Sequence, residues 1–547
     1  MKIAIAQITT LPGALRENCS KIIDYMSRAR ELSVDLVVFP ELSLCGYALM
    51  DLVFEKDFVE QNKAILQEVV NHSQNIAVIL GFVDIDKNQP RPGGRPTLYN
   101  SAAIIENGKL LAIQDKSLLP NYDIFFEDRY FSPARNIKTV KLADKNVGIQ
   151  ICEDLWDADY PLKVTSELLK QKAEILINIS ASPYNLGKLK ERRSYIKNLL
   201  LSAKVPFIYT NLVGVFDGYE GETIFDGQSM AFSADGQCIA QARAFEEDFL
   251  LVEPFSSKSI SLPEDICENE LRQALVFGIR EYFKRSRAVK AYLGLSGGID
   301  SALTAVLAAE ALGRENVVGI SMPSQITSDE TKDDAKLLAE SLGIKFIERS
   351  IVPEYQIWQE EFRKAHGKEP ASIVKQNKQA RLRGAILMEY SNSEPRSLVL
   401  STGNKTEIAL GYCTLYGDMC GALAVLADVS KERVYALARY INSSLGKAVI
   451  AESIINRIPS AELEPNQADR DNLPADYPLL SPLVDEIIEN IRSKEELVKA
   501  YGEEVVHQTY SLINKAEFKR RQAAPGLRVT KKAFGCGRRF PLNSDWQ

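Results

Sequence analysis

Histidine is almost missing from this chain of 547 residues: only His72, His366 and His507 occur, and no two share a short motif. The usual general base and the commonest metal ligand are therefore scarce. Cysteine occurs eight times, at 19, 45, 152, 238, 267, 413, 420 and 536, but never as a CxxC pair or beside histidine. That spacing argues against a zinc site and against a disulfide framework. Free thiols in a reducing cytoplasm are the expectation. No apolar run approaches the roughly 20 residues that span a bilayer, so no membrane association is expected. The opening Met1-Lys2-Ile3-Ala4-Ile5-Ala6-Gln7 reads as a short strand with no cleavage region after it. Excess positive charge is missing too. The formal net charge is −7, which gives no support for nucleic-acid binding.

What is present is an ordinary globular composition, 45% apolar and 25% charged, over a length too great for one core. The first half alternates β-rich runs (3–7, 35–40, 76–82, 146–151, 174–179 and 207–211) with helical patterns such as 19–32 and 188–203. The regularity stops near Leu250. The turn-rich stretch 255–268 reads as a linker between a domain at 1–254 and a domain at 269–547. The second half resumes with runs at 291–295, 317–322, 345–351 and 397–401, separated by helices. That alternation predicts an α/β architecture with a doubly wound parallel sheet.

The first turn of that second sheet is Gly294-Leu295-Ser296-Gly297-Gly298-Ile299-Asp300-Ser301. A strand, a glycine turn and a helix start together make an anion site, because backbone N–H groups and the helix dipole converge there. Ser296 and Ser301 add hydroxyls, and Asp300 is suited to magnesium bridging phosphates. The Gly-Lys-Ser/Thr triplet of the Walker loop is missing. The turn resembles the loop of the ATP pyrophosphatases, which implies that these eight residues bind ATP.

A second candidate lies in the first half. Gly148-Ile149-Gln150-Ile151-Cys152-Glu153-Asp154 puts Cys152 at a strand end, where open α/β folds display catalytic groups. A cysteine nucleophile needs a base or a positive neighbour. With histidine scarce, Glu41 in Phe39-Pro40-Glu41-Leu42 and Lys116 in Lys116-Ser117-Leu118-Leu119-Pro120 are the candidates. Taken singly, each of the three has an ordinary structural reading. In this order they resemble the nitrilase superfamily. The resemblance implies an α-β-β-α sandwich with Glu41 as general base, Lys116 as oxyanion stabiliser and Cys152 as nucleophile. It also implies glutamine binding by Tyr122, Ser182 and Lys188, with Glu127 as a second acid.

Further motifs sharpen the second half. Ser401-Thr402-Gly403-Asn404-Lys405-Thr406-Glu407 follows a strand, and Tyr412, Asp418, 458–463 and 467–474 come after it. With the glycine loop, they resemble the NAD synthetase family in its glutamine-using form, across both halves of the chain. That resemblance implies ATP-dependent amidation of deamido-NAD through an adenylate, with ammonia from L-glutamine. It implies Thr402 on ATP, and Asp300 with Glu407 on Mg2+. It implies Asn377, Arg381, Lys405, Glu407, Tyr412, Asp418 and Lys519 on the dinucleotide, and a homo-oligomer. Two departures touch substrate contacts: Gln376 stands where the family often has glutamate, and the segment around Gln325 lacks an aromatic. Two rivals stay open here. One is another ATP-pyrophosphatase amidotransferase; the other is a first half that only binds or regulates.

Overall fold

The computed structural model describes residues 1–542 apart from 91–95, 219–220, 263–264, 466 and 536. Pro263 and Glu264 of the expected linker, and the thiol of Cys536, lie outside the described residues. The described chain falls into two compact units. One holds 1–218 with 223–265; the other holds 266 onward with a short stretch ending at Glu222.

The first unit is two six-stranded sheets face to face. The order in one is Asp248–Val252, Ile3–Gln7, Leu36–Val38, Ala77–Pro90, Pro96–Glu106, Lys109–Asp115. In the other it is Cys238–Gln241, Met230–Phe232, Phe207–Asn211, Ile175–Ser180, Lys145–Ile151, Val140–Leu142. Strand alternation explains the layers. Ile3 and Ile5 point into the sheet–sheet core with Val147, Ile149, Ile151, Ile175 and Ile177. Ala4 and Ala6 point the other way, onto a core shared with Cys19, Ile22, Met26 and Ala29. Those four form one stripe of the helix Leu15–Glu31, the spacing of a face that packs on a sheet. The helix Lys188–Ala203 covers the second sheet through Leu189, Ile196 and Leu200. The arrangement is the α-β-β-α sandwich that the resemblance implied.

The second unit carries a sheet of five strands, all parallel: Lys345–Glu348, Val317–Ser321, Lys290–Gly294, Ser397–Ser401, Leu423–Ala424. The chain fills one side of Lys290–Gly294 first and then returns to the other side. The strand order therefore reverses between Lys290–Gly294 and Ser397–Ser401. Such a switch point opens a crevice at the carboxyl ends of the strands. Both glycine-bearing turns, Ser296–Ser301 and Ser401–Glu407, leave their strands there. Among the described residues no helix is long and apolar enough to cross a membrane.

Candidate functional site

In the first unit, three strand ends converge. Glu41 follows Leu36–Val38, Lys116 follows Lys109–Asp115, and Cys152 follows Lys145–Ile151. All three are buried. The Lys116 Nζ lies 2.8 Å from Glu41 Oε1 and 2.7 Å from Glu127 Oε1. Glu41 is held further by Asn100 Nδ2 at 2.7 Å on Oε1 and by the backbone N–H of Ala181 at 2.7 Å on Oε2. Its oxygens are thus fixed before any substrate arrives. Cys152 opens a single turn, Cys152–Leu155, with φ of +46°. A non-glycine residue there is strained, and strain of this kind is found where a side chain must be presented.

Asp154 joins two of these strand ends. Its Oδ1 accepts the N–H groups of Ser117 and Leu118 at 2.9 Å, and its Oδ2 accepts that of Ile151 at 3.0 Å. The loop bearing Lys116 is thereby tied to the strand bearing Cys152.

The electrostatics follow from burial. Desolvation and then Glu41 push the Cys152 thiol well above its ordinary range, while Lys116 pulls it back. Burial works against the Lys116 ammonium, but Glu127 and Glu41 outweigh it and hold its pKa well above the ordinary lysine value. Glu127 is driven up to about 7 by burial, with Lys116 opposing and Glu41 adding to the rise. At rest the site is a protonated thiol beside a permanent ammonium held between two carboxyl groups.

Around this centre stand the other expected residues. The Tyr122 hydroxyl donates to Glu153 at 2.9 Å, as does that of Tyr160. The Lys188 Nζ sits 4.3 Å from the centre of the Trp156 ring and 3.0 Å from Glu191. The Ser182 carbonyl and hydroxyl both accept from Arg192 Nη2, at 2.9 and 3.2 Å. Arg192 is fully buried and reaches both oxygens of Asp226 through Nη1. Neither Arg192 nor Asp226 stands out in sequence, because a lone arginine on a helix reads as solvated surface.

In the second unit, Gly298 caps the helix Ile299–Leu312, and Gly297 has φ of +76°. A Cβ on Gly297 would lie 2.4 Å from the Thr331 carbonyl, so only glycine fits. The Ser296 and Ser301 hydroxyls are 3.2 Å apart, and Ser301 Oγ donates to the Gly298 carbonyl. Asp300 faces the second turn: Asn404 Nδ2 donates to its Oδ1 at 3.0 Å. Lys431 Nζ lies 2.5 Å from Asp300 Oδ2 and 3.1 Å from Glu407 Oε1. Burial and then Lys431 act in opposite senses on Glu407, and its carboxyl settles at about 7. Thr402 is half-buried on the same turn.

Two family models match the chain: carbon-nitrogen hydrolase over residues 2–258 and NAD synthase over residues 271–523. The glutamine-dependent NAD(+) synthetase of a Synechocystis strain is 40% identical, covering 99% of this chain and 98% of its own length. This chain belongs to the glutamine-dependent NAD(+) synthetases. The Thermotoga maritima member is 36% identical, covering 100% of this chain and 98% of its own. The solved glutamine-dependent NAD+ synthetase from Acinetobacter baumannii, in complex with adenosine diphosphate, is 33% identical. It covers 99% of this chain and 98% of its own, with a TM-score of 0.75.

Of the residues implied by the NAD synthetase resemblance, Lys405 is enclosed by protein groups. Its ammonium is fully buried, 2.9 Å from Asp485 and 3.2 Å from Asp428, and it donates to Thr530. It neutralises two interior carboxylates and pins the start of the helix Lys405–Leu410 from inside. Lys519 gives two of its N–H groups to the Gly411 and Cys413 carbonyls, at 2.8 and 2.7 Å, capping the end of that helix. Arg381 is exposed, with Nε on the Leu415 carbonyl; Asn377 Oδ1 accepts from Thr414, and Asp418 Oδ1 accepts the Thr414 N–H. The three therefore share one loop. Tyr412 lies beside Gln467, and Gln376 stays within its own helix on Ser372. The residues that sequence reasoning missed are Asn100, Asn404 and Lys431. Asn404 lies inside a motif already singled out, but only the folded chain aims it and Lys431 at Asp300.

Proposed function

We propose that this chain converts deamido-NAD to NAD, using ATP and the amide nitrogen of L-glutamine, with the two reactions divided between its two units. One observation carries the reading: a buried Glu41–Lys116–Cys152 set and a phosphate-type loop at a sheet switch point occur in one member of this family.

In the first unit, Glu41 takes the Sγ proton as the sulfur attacks the γ-carboxamide carbon of glutamine. The C–N bond breaks, and ammonia leaves with the proton that Glu41 returns. Water, deprotonated by Glu41, then hydrolyses the γ-glutamyl thioester and glutamate departs. An ammonium has three N–H donors. Two of those on Lys116 are taken by Glu41 and Glu127, so the third serves the oxyanion. Tyr122, Glu127, Ser182 and Lys188 are the groups assigned to glutamine.

In the second unit, the dinucleotide carboxylate attacks the α-phosphorus of ATP, and pyrophosphate leaves into the loop 294–301. Ammonia attacks the resulting acyl adenylate, and AMP leaves. Thr402 and Lys431 are assigned to ATP. Asn377, Arg381, Lys405, Glu407, Tyr412, Asp418 and Lys519 are assigned to the dinucleotide, Lys405 through the turn it holds from inside and Lys519 through the loop whose carbonyls it holds. Asp300 and Glu407 fit magnesium. Both reach one ammonium, so their oxygens converge, and magnesium is commonly held by one or two carboxylates with phosphate oxygens and water completing the shell. When bound there, magnesium offsets charge developing on the leaving group. A homo-oligomer working in the cytoplasm belongs to the same reading.

The test is an assay of purified chain with ATP, magnesium and deamido-NAD, supplied with glutamine or with ammonium chloride. Expected are NAD, AMP and pyrophosphate from both nitrogen sources, and glutamate from the first. ADP and phosphate in place of AMP and pyrophosphate would overturn the reading.

A further inference from the structure

We infer that Arg457 is a positioning residue for the pyrophosphate end of the synthetase reaction, holding the Gly297–Gly298 peptide so that the loop presents its N–H groups to the leaving group. The inference rests on the reading of residues 294–301 as the pyrophosphate loop.

Arg457 follows the short helix Glu452–Asn456, far along the chain from the loop. Its Nη1 donates to the Gly297 carbonyl at 3.1 Å and to Thr331 Oγ1 at 3.0 Å. Its Nη2 donates to Asp334 Oδ2 at 2.5 Å. One guanidinium thus joins the loop to the first two turns of the helix Asp329–Leu342. The planar fork is what allows it, since an ammonium is a point donor on a flexible stem.

Gly297 is already wedged against the Thr331 backbone. What Arg457 adds is direction. In a trans peptide the carbonyl and the following N–H point opposite ways. With the Gly297 carbonyl fixed on the Arg457 side, the Gly298 N–H is aimed into the loop, where it makes only a long 3.3 Å contact with Ser296 Oγ. A phosphate oxygen is the stronger acceptor for such a group at a helix start. A second tie comes from the same segment: Thr331 Oγ1 donates to Glu462 Oε1 at 2.8 Å. Gln379, on the helix that also carries Asn377 and Arg381, donates to the Leu463 carbonyl at 3.0 Å. The stretch 457–463 therefore braces the loop at one end and meets the dinucleotide side at the other.

The experiment measures NAD formation with ammonium chloride in wild type, R457A, R457K and E462Q, recording KM for ATP, KM for deamido-NAD and inhibition by added pyrophosphate. For R457A the expected result is a rise of at least about tenfold in KM for ATP and in the pyrophosphate inhibition constant, since small misplacements of a positioning group cost factors of this size. R457K, with the charge but not the fork, should fall between R457A and wild type. E462Q weakens the second tie, replacing a charged acceptor by a neutral one, and should raise both constants by less than R457A does. A purely structural role would lower the melting temperature and the active fraction while leaving both constants unchanged. Unchanged constants in folded R457A overturn the inference, as do wild-type constants in R457K should R457A not fold. Wild-type chain that releases no pyrophosphate would instead defeat the reading on which the inference rests.

Discussion

At the scale of single residues, the first unit works because a lysine and two acids are buried together. Lys116 is the group that pulls the Cys152 thiol down against burial and Glu41. K116A should lower kcat for glutamine hydrolysis by about 10²- to 10³-fold, the usual loss when an oxyanion donor goes. It should also slow alkylation of Cys152 by iodoacetamide near neutral pH; an unchanged alkylation rate would remove Lys116 from the account. Glu127 supplies a second test. Burial raises its carboxyl to about 7, against an ordinary 4.5. Between those values the unfolded chain has lost the proton that the folded chain keeps. Folding then takes up a proton, so stability falls as pH rises through that window and levels off above it. E127Q cannot titrate there. Its melting temperature should decline less than that of wild type between pH 4.5 and 7, and parallel curves would show that Glu127 does not carry the slope.

At the scale of elements, two turns decide the chemistry. The turn after Lys145–Ile151 puts Cys152 at a positive φ, and the turn after Lys290–Gly294 does the same for Gly297. The second cannot accept a side chain. G297A meets both a strained φ and the Thr331 carbonyl, and should destabilise the second unit by about 1–3 kcal/mol. NAD formation should fall with either nitrogen source, while the KM for glutamine in glutamine hydrolysis stays put. Calorimetry and the two assays check this, and full NAD formation by G297A would show that the loop tolerates rearrangement. The strands and helices were largely legible in sequence. The strand expected at 317–322 forms at Val317–Ser321, and the helix expected at 188–203 forms at Lys188–Ala203. The ion pairs of Lys405 were not legible. They need Asp428, in the turn before the helix Lys431–Leu445, and Asp485, in the helix Tyr477–Glu489, both distant in the chain.

At the scale of the whole molecule, the proposal is a division of labour between two units. C152A should abolish NAD formation from glutamine, by at least about a thousandfold as for the loss of other nucleophiles, and leave the ammonium chloride reaction intact. D300A should abolish both. If C152A loses both activities while folded, the two centres are not separable in the way proposed.

What the sequence determined by itself is the set of local features. Strands ending at Glu41 and Cys152, and a glycine turn starting a helix, follow from short-range patterns of polarity and backbone freedom. What only the tertiary structure decided is which of those groups meet. Lys116 lies between Glu41 and Glu127, Asp154 ties its loop to Cys152, Lys431 joins Asp300 to Glu407, and Arg457 reaches Gly297. Such pairings join residues far apart in the chain. They are set by sheet order and by the need of each buried charge for a partner, and a linear pattern of residues carries neither.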